Sequence, residues 1–295
     1  MSTTIAIRRA PAGHWVGDGF PVRSLFSHGN PADSRTTSPF LMLDYAGPAE
    51  FGPTDKPRGV DSHPHKGFET VTIAYSGDVE HRDSAGGGGR IGPGDVQWMT
   101  AGSGLLHEEK HGREITSKGG VFEMVQLWVN LPARDKGASP AYQAIVDGQI
   151  PRVALPDGAG TLRVIAGSLG EARGPARTFT PLDLWDAELN PGARVEFRRP
   201  AGWTKLVVVL KGQVAVGDGQ VAGESDLIVF PRDEEIFTLE AREGSKILVL
   251  AGEPIDEPIA AYGPFVMNTQ AEIRQAIADF QSGKMGVIEP AGAAR

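Results

Sequence analysis

Residues 63–77, with the sequence HPHKGFETVTIAYSG, decide how the fold is interpreted. From Phe68 to Tyr75 this stretch is rich in β-branched and aromatic residues, which are enriched in strands. The strand signal ends at Ser76-Gly77, and residues 78–82 continue as a second short strand signal. We therefore expect a β-hairpin over this region.

The same pattern returns later in the chain, in residues 198–212 (RRPAGWTKLVVVLKG). At a shift of 135 residues an aromatic residue and two glycines coincide, and a further match, of residues 94–96 with 225–227, follows at a shift of 131. Such self-similarity predicts an internal duplication of a β unit of roughly 100 residues. The coincident pairs are Gly67 with Gly202, Phe68 with Trp203, and Gly77 with Gly212.

The composition agrees with two domains built from many short strands. Of the 295 residues, 39 are Gly and 22 are Pro, which exceeds the average share of roughly 12% for the two together. Hydrophobic residues make up 40% of the chain, which is enough to fill two cores. We expect an N-terminal domain over residues 1–135 and a C-terminal domain over residues 136–295.

One helix is predicted near the end of the chain, from Thr269 to Phe280. Thr269 and Glu272 have the spacing of a capping box, in which each residue's side chain satisfies a backbone N–H group of the other. Ile273, Ile277 and Phe280 share one face, which we expect to pack against one of the two domains.

Charge and cysteine content narrow the class of protein. The net charge is -8 and the pI is about 5.4, so direct binding of nucleic acid is not expected. Cysteine is absent, which excludes disulfides, thiolate nucleophiles and Cys-bound zinc. The N-terminus lacks the apolar core of a signal peptide, and no apolar run approaches the roughly 18 residues that span a membrane. These features predict a cytoplasmic protein without membrane contact.

The histidines give the most specific chemical signal. Seven are present, at positions 14, 28, 63, 65, 81, 107 and 111. His63 and His65 are two residues apart, so on a strand both imidazoles point to the same face and can converge on one ion. His107 and Glu109 repeat this spacing. Two such pairs on neighbouring strands would give three nitrogens and one carboxylate and would leave coordination positions open.

These donors suit iron(II), manganese, nickel or zinc better than calcium or magnesium, which prefer oxygen ligands. For a single histidine, a hydrogen-bonded or solvated role is the more common one. We expect His81 to be solvated, with a place at the pocket mouth as the alternative, and His111 to be exposed. The two closely spaced pairs are expected to bind the metal.

Several long motifs resemble the pirin family of bicupins, and the resemblance covers nearly the whole chain. It implies an all-β fold of two cupin-type β-barrel (double-stranded β-helix) domains and one metal ion in the N-terminal domain. The motifs are PFLMLD (39–44), HPH (63–65), FE (68–69), PGD (93–95), QWMTAG (97–102), LHEE (106–109), QLWVNL (126–131) and GPFVMNT (263–269).

The resemblance implies that His63, His65, His107 and Glu109 are the metal ligands. The general cupin pattern places the carboxylate ligand a few residues after the His-x-His pair, which would be Glu69. Strand parity leaves both glutamates open, because Glu69 would share the face of His63 and His65 on one continuous strand. The closer match to the pirin pattern favours Glu109.

The second copy of the duplicated unit lacks the three imidazoles. At the shifts given above, His63 corresponds to Arg198, His65 to Pro200 and His107 to Thr238. Glu69 corresponds to Thr204. We therefore expect one metal ion per chain and none in the C-terminal domain.

The resemblance also implies a function: an iron(II)-dependent dioxygenase that uses O2 to open the ring of flavonols such as quercetin, with Glu109 as the base. A flat, apolar substrate calls for a hydrophobic pocket mouth. The alternative is a non-enzymatic, redox-sensitive metalloprotein that regulates partner proteins, and a metal-dependent isomerase or hydrolase is a third possibility. Candidates for the pocket wall, each with a core role as the alternative, are Phe40, Met42, Trp98 and Phe122.

Overall fold

The computed structural model describes residues 5–217 and 219–288, and these are mostly antiparallel β-strands. This confirms the all-β class. Up to residue 145 the elements are β1 (Ala6–Arg8), β2 (His14–Val16), β3 (Phe20–Ser27), α1 (Pro31–Thr37), β4 (Phe40–Phe51), β5 (Gly59–His65), β6 (Phe68–Ser76), β7 (Val79–Asp83), β8 (Gly88–Ile91), β9 (Val96–Thr100), β10 (Leu105–His111), α2 (Arg113–Lys118), β11 (Gly120–Asn130), a 3-10 helix (Ala133–Asp135) and β12 (Ala141–Ile145).

The rest of the chain continues the strand-rich pattern and ends in the predicted helix. The elements are 3-10 helices at Asp147–Gln149 and Pro156–Gly158, β13 (Arg152–Ala154), β14 (Gly160–Ala166), β15 (Ser168–Leu169), β16 (Ala172–Arg173), β17 (Leu182–Leu189), β18 (Arg194–Arg198), β19 (Thr204–Lys211), β20 (Val214–Val216), β21 (Gln220–Ala222), β22 (Leu227–Val229), β23 (Ile236–Ala241), β24 (Ser245–Gly252), β25 (Ala260–Tyr262), β26 (Phe265–Met267) and α3 (Gln270–Gln281).

One compact unit, called the N-terminal barrel here, consists of residues 13–22, 42–147 and 255–288. It contains a four-stranded sheet in the order β5-β10-β7-β8. A seven-stranded sheet in the order β12-β9-β6-β11-β4-β3-β2 supplies its second layer. One of its apolar clusters contains Phe20, Phe51 and Phe122.

The other unit, called the C-terminal barrel, consists of residues 5–12, 23–41 and 148–254. Its sheets have the orders β18-β23-β20-β21 and β1-β22-β19-β24-β17-β14-β13. Strands β5 to β11 and β18 to β24 therefore occupy the same places in their sheets, which confirms the predicted duplication. The interior of this barrel is apolar and includes the neighbouring rings of Trp185, Phe197 and Phe237.

The predicted hairpin after residue 68 is wrong. Both strands exist, but β6 pairs with β9 and β11, whereas β7 pairs with β10 and β8 in the other sheet. Between them the chain crosses from one sheet to the other at Gly77, whose φ is +74°. Gly212, with φ +77°, makes the equivalent crossing between β19 and β20. A left-handed glycine signals a sharp change of direction, which fits a crossing as well as a hairpin turn.

Gly77→Ala is expected to destabilise the protein by about 2 kcal/mol, and Gly86→Ala by only about 1 kcal/mol. Both glycines have positive φ, +74° and +86°, so alanine is strained at either position. A Cβ at Gly77 would also lie 2.9 Å from the Ile115 and Phe122 side chains, whereas no atom lies within 4 Å of one at Gly86. Urea unfolding of the two variants measures the difference, and equal losses would contradict the steric argument.

The predicted terminal helix is confirmed as α3, with Thr269 as the N-cap and Glu272 completing the capping box. Ile273 is buried in an apolar cluster with Phe265 and Met267, whereas Phe280 is 42% exposed. Within the described residues no helix has the length and hydrophobicity needed to cross a membrane.

The grouping of segments differs from the simple division at residue 135 that we expected. Residues 255–288, including α3, belong to the N-terminal barrel. One physical reason is Lys136, which is 3% exposed and whose Nζ donates to the carbonyl oxygens of Gly67 (2.8 Å) and Val266 (2.9 Å) and to Asn130 Oδ1 (2.8 Å). Burial lowers the pKa of Lys136 to about 8, and the three acceptors satisfy the buried amine.

Candidate metal site

The four-stranded sheet of the N-terminal barrel brings histidine and carboxylate side chains from three neighbouring strands together. His107 on β10 lies opposite His63 on β5 and opposite Asp83 on β7. Glu109 lies opposite His81 on β7. Residues paired directly across a sheet have Cβ atoms about 4.5–5.5 Å apart, so the register alone brings these groups together.

Three imidazoles converge at this place, as predicted. Nitrogens of His63, His65 and His107 lie within 4.8 Å of one another, and His63 Nε2 is 2.9 Å from His107 Nε2. His63 Nδ1 donates to the Asp61 carbonyl oxygen (2.8 Å), which leaves its Nε2 lone pair free to bind an ion. Two nitrogens about 2.05 Å from one ion and at right angles lie about 2.9 Å apart, so the spacing fits a metal ion.

The protonation state of the imidazoles also suits a metal. Burial lowers the pKa of His65 well below its ordinary value of 6.5, and a charge on His63 would lower it further. The Pro264 carbonyl oxygen acts in the opposite direction and raises the pKa of His65 in part. Burial likewise lowers the pKa of His107 well below 6.5, and charges on His65 and His63 would lower it further. Both rings are therefore neutral at pH 7, the form that binds metals.

The seven-stranded sheet supplies three hydrogen-bond donors to Glu109. Thr72 on β6 pairs with Gln97 on β9 and with Gln126 on β11, so the three side chains form a row across the sheet. Thr72 Oγ1 donates to Glu109 Oε1 (3.1 Å), as does Gln97 Nε2, and Gln126 Nε2 donates to Oε2 (2.5 Å). A carboxylate offers about four lone-pair directions, so one is left for a metal or a proton.

The four predicted ligands do not form a single cluster among the residues that the structure describes. His63, His65 and His107 form one group, and His81, His107 and Glu109 form another, so that His107 is common to both. The three histidines could hold a metal ion, and Glu109 lies within 4.8 Å of one of them, His107. Ligation by Glu109 stays a prediction.

Glu69, the alternative carboxylate, lies elsewhere. Its Oε1 accepts a hydrogen bond from Thr100 Oγ1 (2.8 Å), and it is three residues from Thr72 on β6, so the two side chains point to opposite faces. Strand β5 ends at His65, and Gly67, with φ +91°, separates it from β6. Because this turn interrupts the strand, the alternation of side chains no longer places Glu69 on the same face as His63 and His65.

Two histidines expected to be solvated are buried instead. His81 and His111 are each 1% exposed. His111 Nε2 donates to the Gly19 carbonyl oxygen (2.8 Å), and its ring stacks on Phe122 with centroids 4.5 Å apart. Phe122, a predicted wall residue, thus packs in the aromatic cluster around His111, which also contains Phe51.

The sequence reasoning missed most of the groups that surround the ligands. Trp128 and Phe68 stack with ring centroids 4.3 Å apart, and both present an edge contact to His65. The sequence does indicate some of the polar groups, because an isolated polar residue within an apolar strand is commonly buried and hydrogen-bonded to a partner. The polar residues that the sequence reasoning did not single out are Thr72, Asp83, Gln97, Gln126 and Tyr142.

Comparison with known protein families gives matches over both barrels. The pirin family model matches residues 19–129, and the model of the pirin C-terminal cupin domain matches residues 184–286. These matches confirm the two cupin domains that the sequence motifs predicted.

Individual proteins match over nearly the full chain. A Pseudomonas aeruginosa protein named "Putative quercetin 2,3-dioxygenase" is 58% identical over 92% of this chain and 94% of its own length. Pirin from Homo sapiens is 37% identical over 91% of this chain and 90% of its own. The crystal structure of a quercetin 2,3-dioxygenase from Acinetobacter baumannii superposes with a TM-score of 0.92 at 52% identity, covering 96% of this chain and 98% of that chain.

Proposed function

The chain belongs to the pirin family, and from that premise we propose that it is an iron(II)-dependent dioxygenase acting on flavonols such as quercetin. The observation that carries the proposal is the convergence of His63, His65 and His107 beside Glu109 inside the N-terminal barrel. Manganese, nickel and zinc suit the same donors, since availability as well as ligand type selects the ion. The names of two similar proteins support the substrate class.

Bound iron(II) would supply open coordination positions and the one-electron chemistry that O2 requires. The three imidazoles would hold the ion, and Glu109 would supply the negative charge that partly offsets it. If Glu109 loosens from the ion, its free lone pair can accept the proton of the flavonol 3-hydroxyl group, while Thr72, Gln97 and Gln126 keep the carboxylate in place. Half-buried Trp128 beside His65 offers the flat apolar surface that a flavonol ring needs.

Oxygen consumption tests the proposal. Protein loaded anaerobically with one iron per chain is mixed with quercetin and O2, beside a His107→Ala variant treated in the same way. We expect uptake that requires iron, quercetin and His107, because His107 is common to both groups of potential ligands. No uptake by iron-loaded wild-type protein would contradict the flavonol proposal. The redox-sensitive regulator of partner proteins would then be the better interpretation.

Two finer points stay predictions. The absence of cysteine supports a cytoplasmic location. The net charge of -8 argues against direct nucleic-acid binding, and a gel shift with DNA at physiological salt checks this.

A further inference from the structure

His107 has a second ring nitrogen, and it faces another histidine. The Nε2 atom of His107 points towards His63, whereas its Nδ1 atom lies 3.4 Å from His81 Nδ1. His81 Nε2 lies 3.2 Å from Asp83 Oδ2, and all three side chains are buried. The groups thus form a line that runs from the Asp83 carboxylate through the His81 ring to His107 Nδ1, the ring nitrogen that does not face His63.

With both imidazole rings neutral, one arrangement of protons satisfies every contact in this line. Asp83 Oδ1 already accepts the backbone N–H groups of Ala85 and Gly87, each at 2.8 Å, so Oδ2 is the acceptor that faces His81. The His81 Nε2 must therefore carry a proton, and in the neutral ring its Nδ1 is then an acceptor. His107 Nδ1 donates to it, which leaves His107 Nε2 as the lone pair for a metal.

The His81 ring is itself held in place by Tyr142. The two rings stack with centroids 4.9 Å apart and an interplanar angle of 18°. The Tyr142 hydroxyl donates to Gln97 Oε1 (3.3 Å), which directs the Gln97 amide nitrogen towards Glu109. One tyrosine thus orients a neighbour of His107 and a neighbour of Glu109, two of the four proposed ligands.

We propose that His81, oriented by Asp83, is a positioning residue that fixes the tautomer and ring orientation of His107 for metal binding. Ligating histidines in metalloproteins commonly donate their second N–H group to a carboxylate, a backbone carbonyl or water, and loss of that partner typically weakens metal binding 10–100-fold. His81 takes the place of that partner here. The inference rests on the metal site proposed above and is independent of the substrate.

Two variants separate hydrogen bonding from packing. His81→Phe keeps an aromatic ring against Tyr142 but offers no acceptor, whereas His81→Asn offers Oδ1 near the position of the lost Nδ1. Zn²⁺ affinity is measured by competition with a chelating dye, and circular dichroism checks that each variant is folded. We expect about 10–100-fold weaker binding in His81→Phe and partial recovery in His81→Asn. Wild-type affinity in His81→Phe, or weaker binding in His81→Asn than in His81→Phe, would overturn the proposal.

A measurement on the wild-type protein needs no variant. Nitrogen-15 NMR of the Zn²⁺-loaded protein identifies which ring nitrogen of each histidine carries a proton. We expect a slowly exchanging proton on His107 Nδ1 and the Nε2–H tautomer of His81. An Nδ1–H tautomer of His81 would overturn the proposal while leaving the metal site intact. A wild-type protein that binds no Zn²⁺ would remove the metal site and the role of His81 together.

Discussion

Glu109→Ala is expected to weaken iron(II) binding at least a hundredfold, because loss of a direct ligand should cost at least as much as the 10–100-fold that loss of a supporting residue costs. Alanine removes the negative charge beside His107 and leaves the donors of Thr72, Gln97 and Gln126 without their common acceptor. Iron per chain after anaerobic loading and gel filtration, together with a competition titration, measures the effect.

Glu69→Ala is the matched control for this experiment. It removes a buried carboxylate of the same size from the same barrel, but one that accepts from Thr100 on the other face of β6. We expect the iron affinity of Glu69→Ala to stay within about threefold of wild type. The Glu69 carboxylate accepts from Thr100, whereas Thr72, Gln97 and Gln126 donate to Glu109. Retained iron in Glu109→Ala with loss in Glu69→Ala would overturn the ligand assignment.

The strands and their duplication could be predicted because they depend on local patterns. The β-branched run of residues 68–75 and its copy at 204–210 each form a strand, and the glycines that follow both lie at sheet crossings. The pairing partners could not be predicted in the same way. A turn of positive φ at Gly77 fits a hairpin and a crossing equally, and only the packing of two sheets decides between them.

The candidate site shows the same division between local and long-range information. The spacing of His63 and His65 predicts convergence because both lie on one strand, and His107 meets them through the β5–β10 pairing. The roles of His81 and Gln97 could not be predicted because they depend on strand register. His81 lies opposite Glu109 in the four-stranded sheet, and Gln97 reaches Glu109 from the seven-stranded sheet. The alternation rule misled only for Glu69, where a turn interrupts the strand.

Glu69 also leads to an expectation about the stability of the metal-free protein at different pH values. Burial raises the pKa of the Glu69 carboxyl from its ordinary value of 4.5 to about 7, and the hydrogen bond from Thr100 opposes this only in part. Below pH 4.5 the group is protonated in both the folded and the unfolded chain. Between pH 4.5 and 7 the unfolded chain releases the proton while the folded chain retains it, so the free energy of unfolding falls as pH rises.

Glu69→Gln removes this titration, so the variant is expected to be more stable than wild type by about 3 kcal/mol at pH 8, and about equal at pH 4.5. Urea unfolding in the presence of a chelator, at both pH values, measures the difference between the two proteins. Glu50→Gln on the exposed part of β4 is the control for a glutamate-to-glutamine exchange outside the core, measured at the same two pH values. A Glu69→Gln advantage that is the same at both pH values would mean that the carboxyl does not titrate in this range. The gain would then reflect packing alone, since only a group whose proton affinity changes on folding makes stability depend on pH.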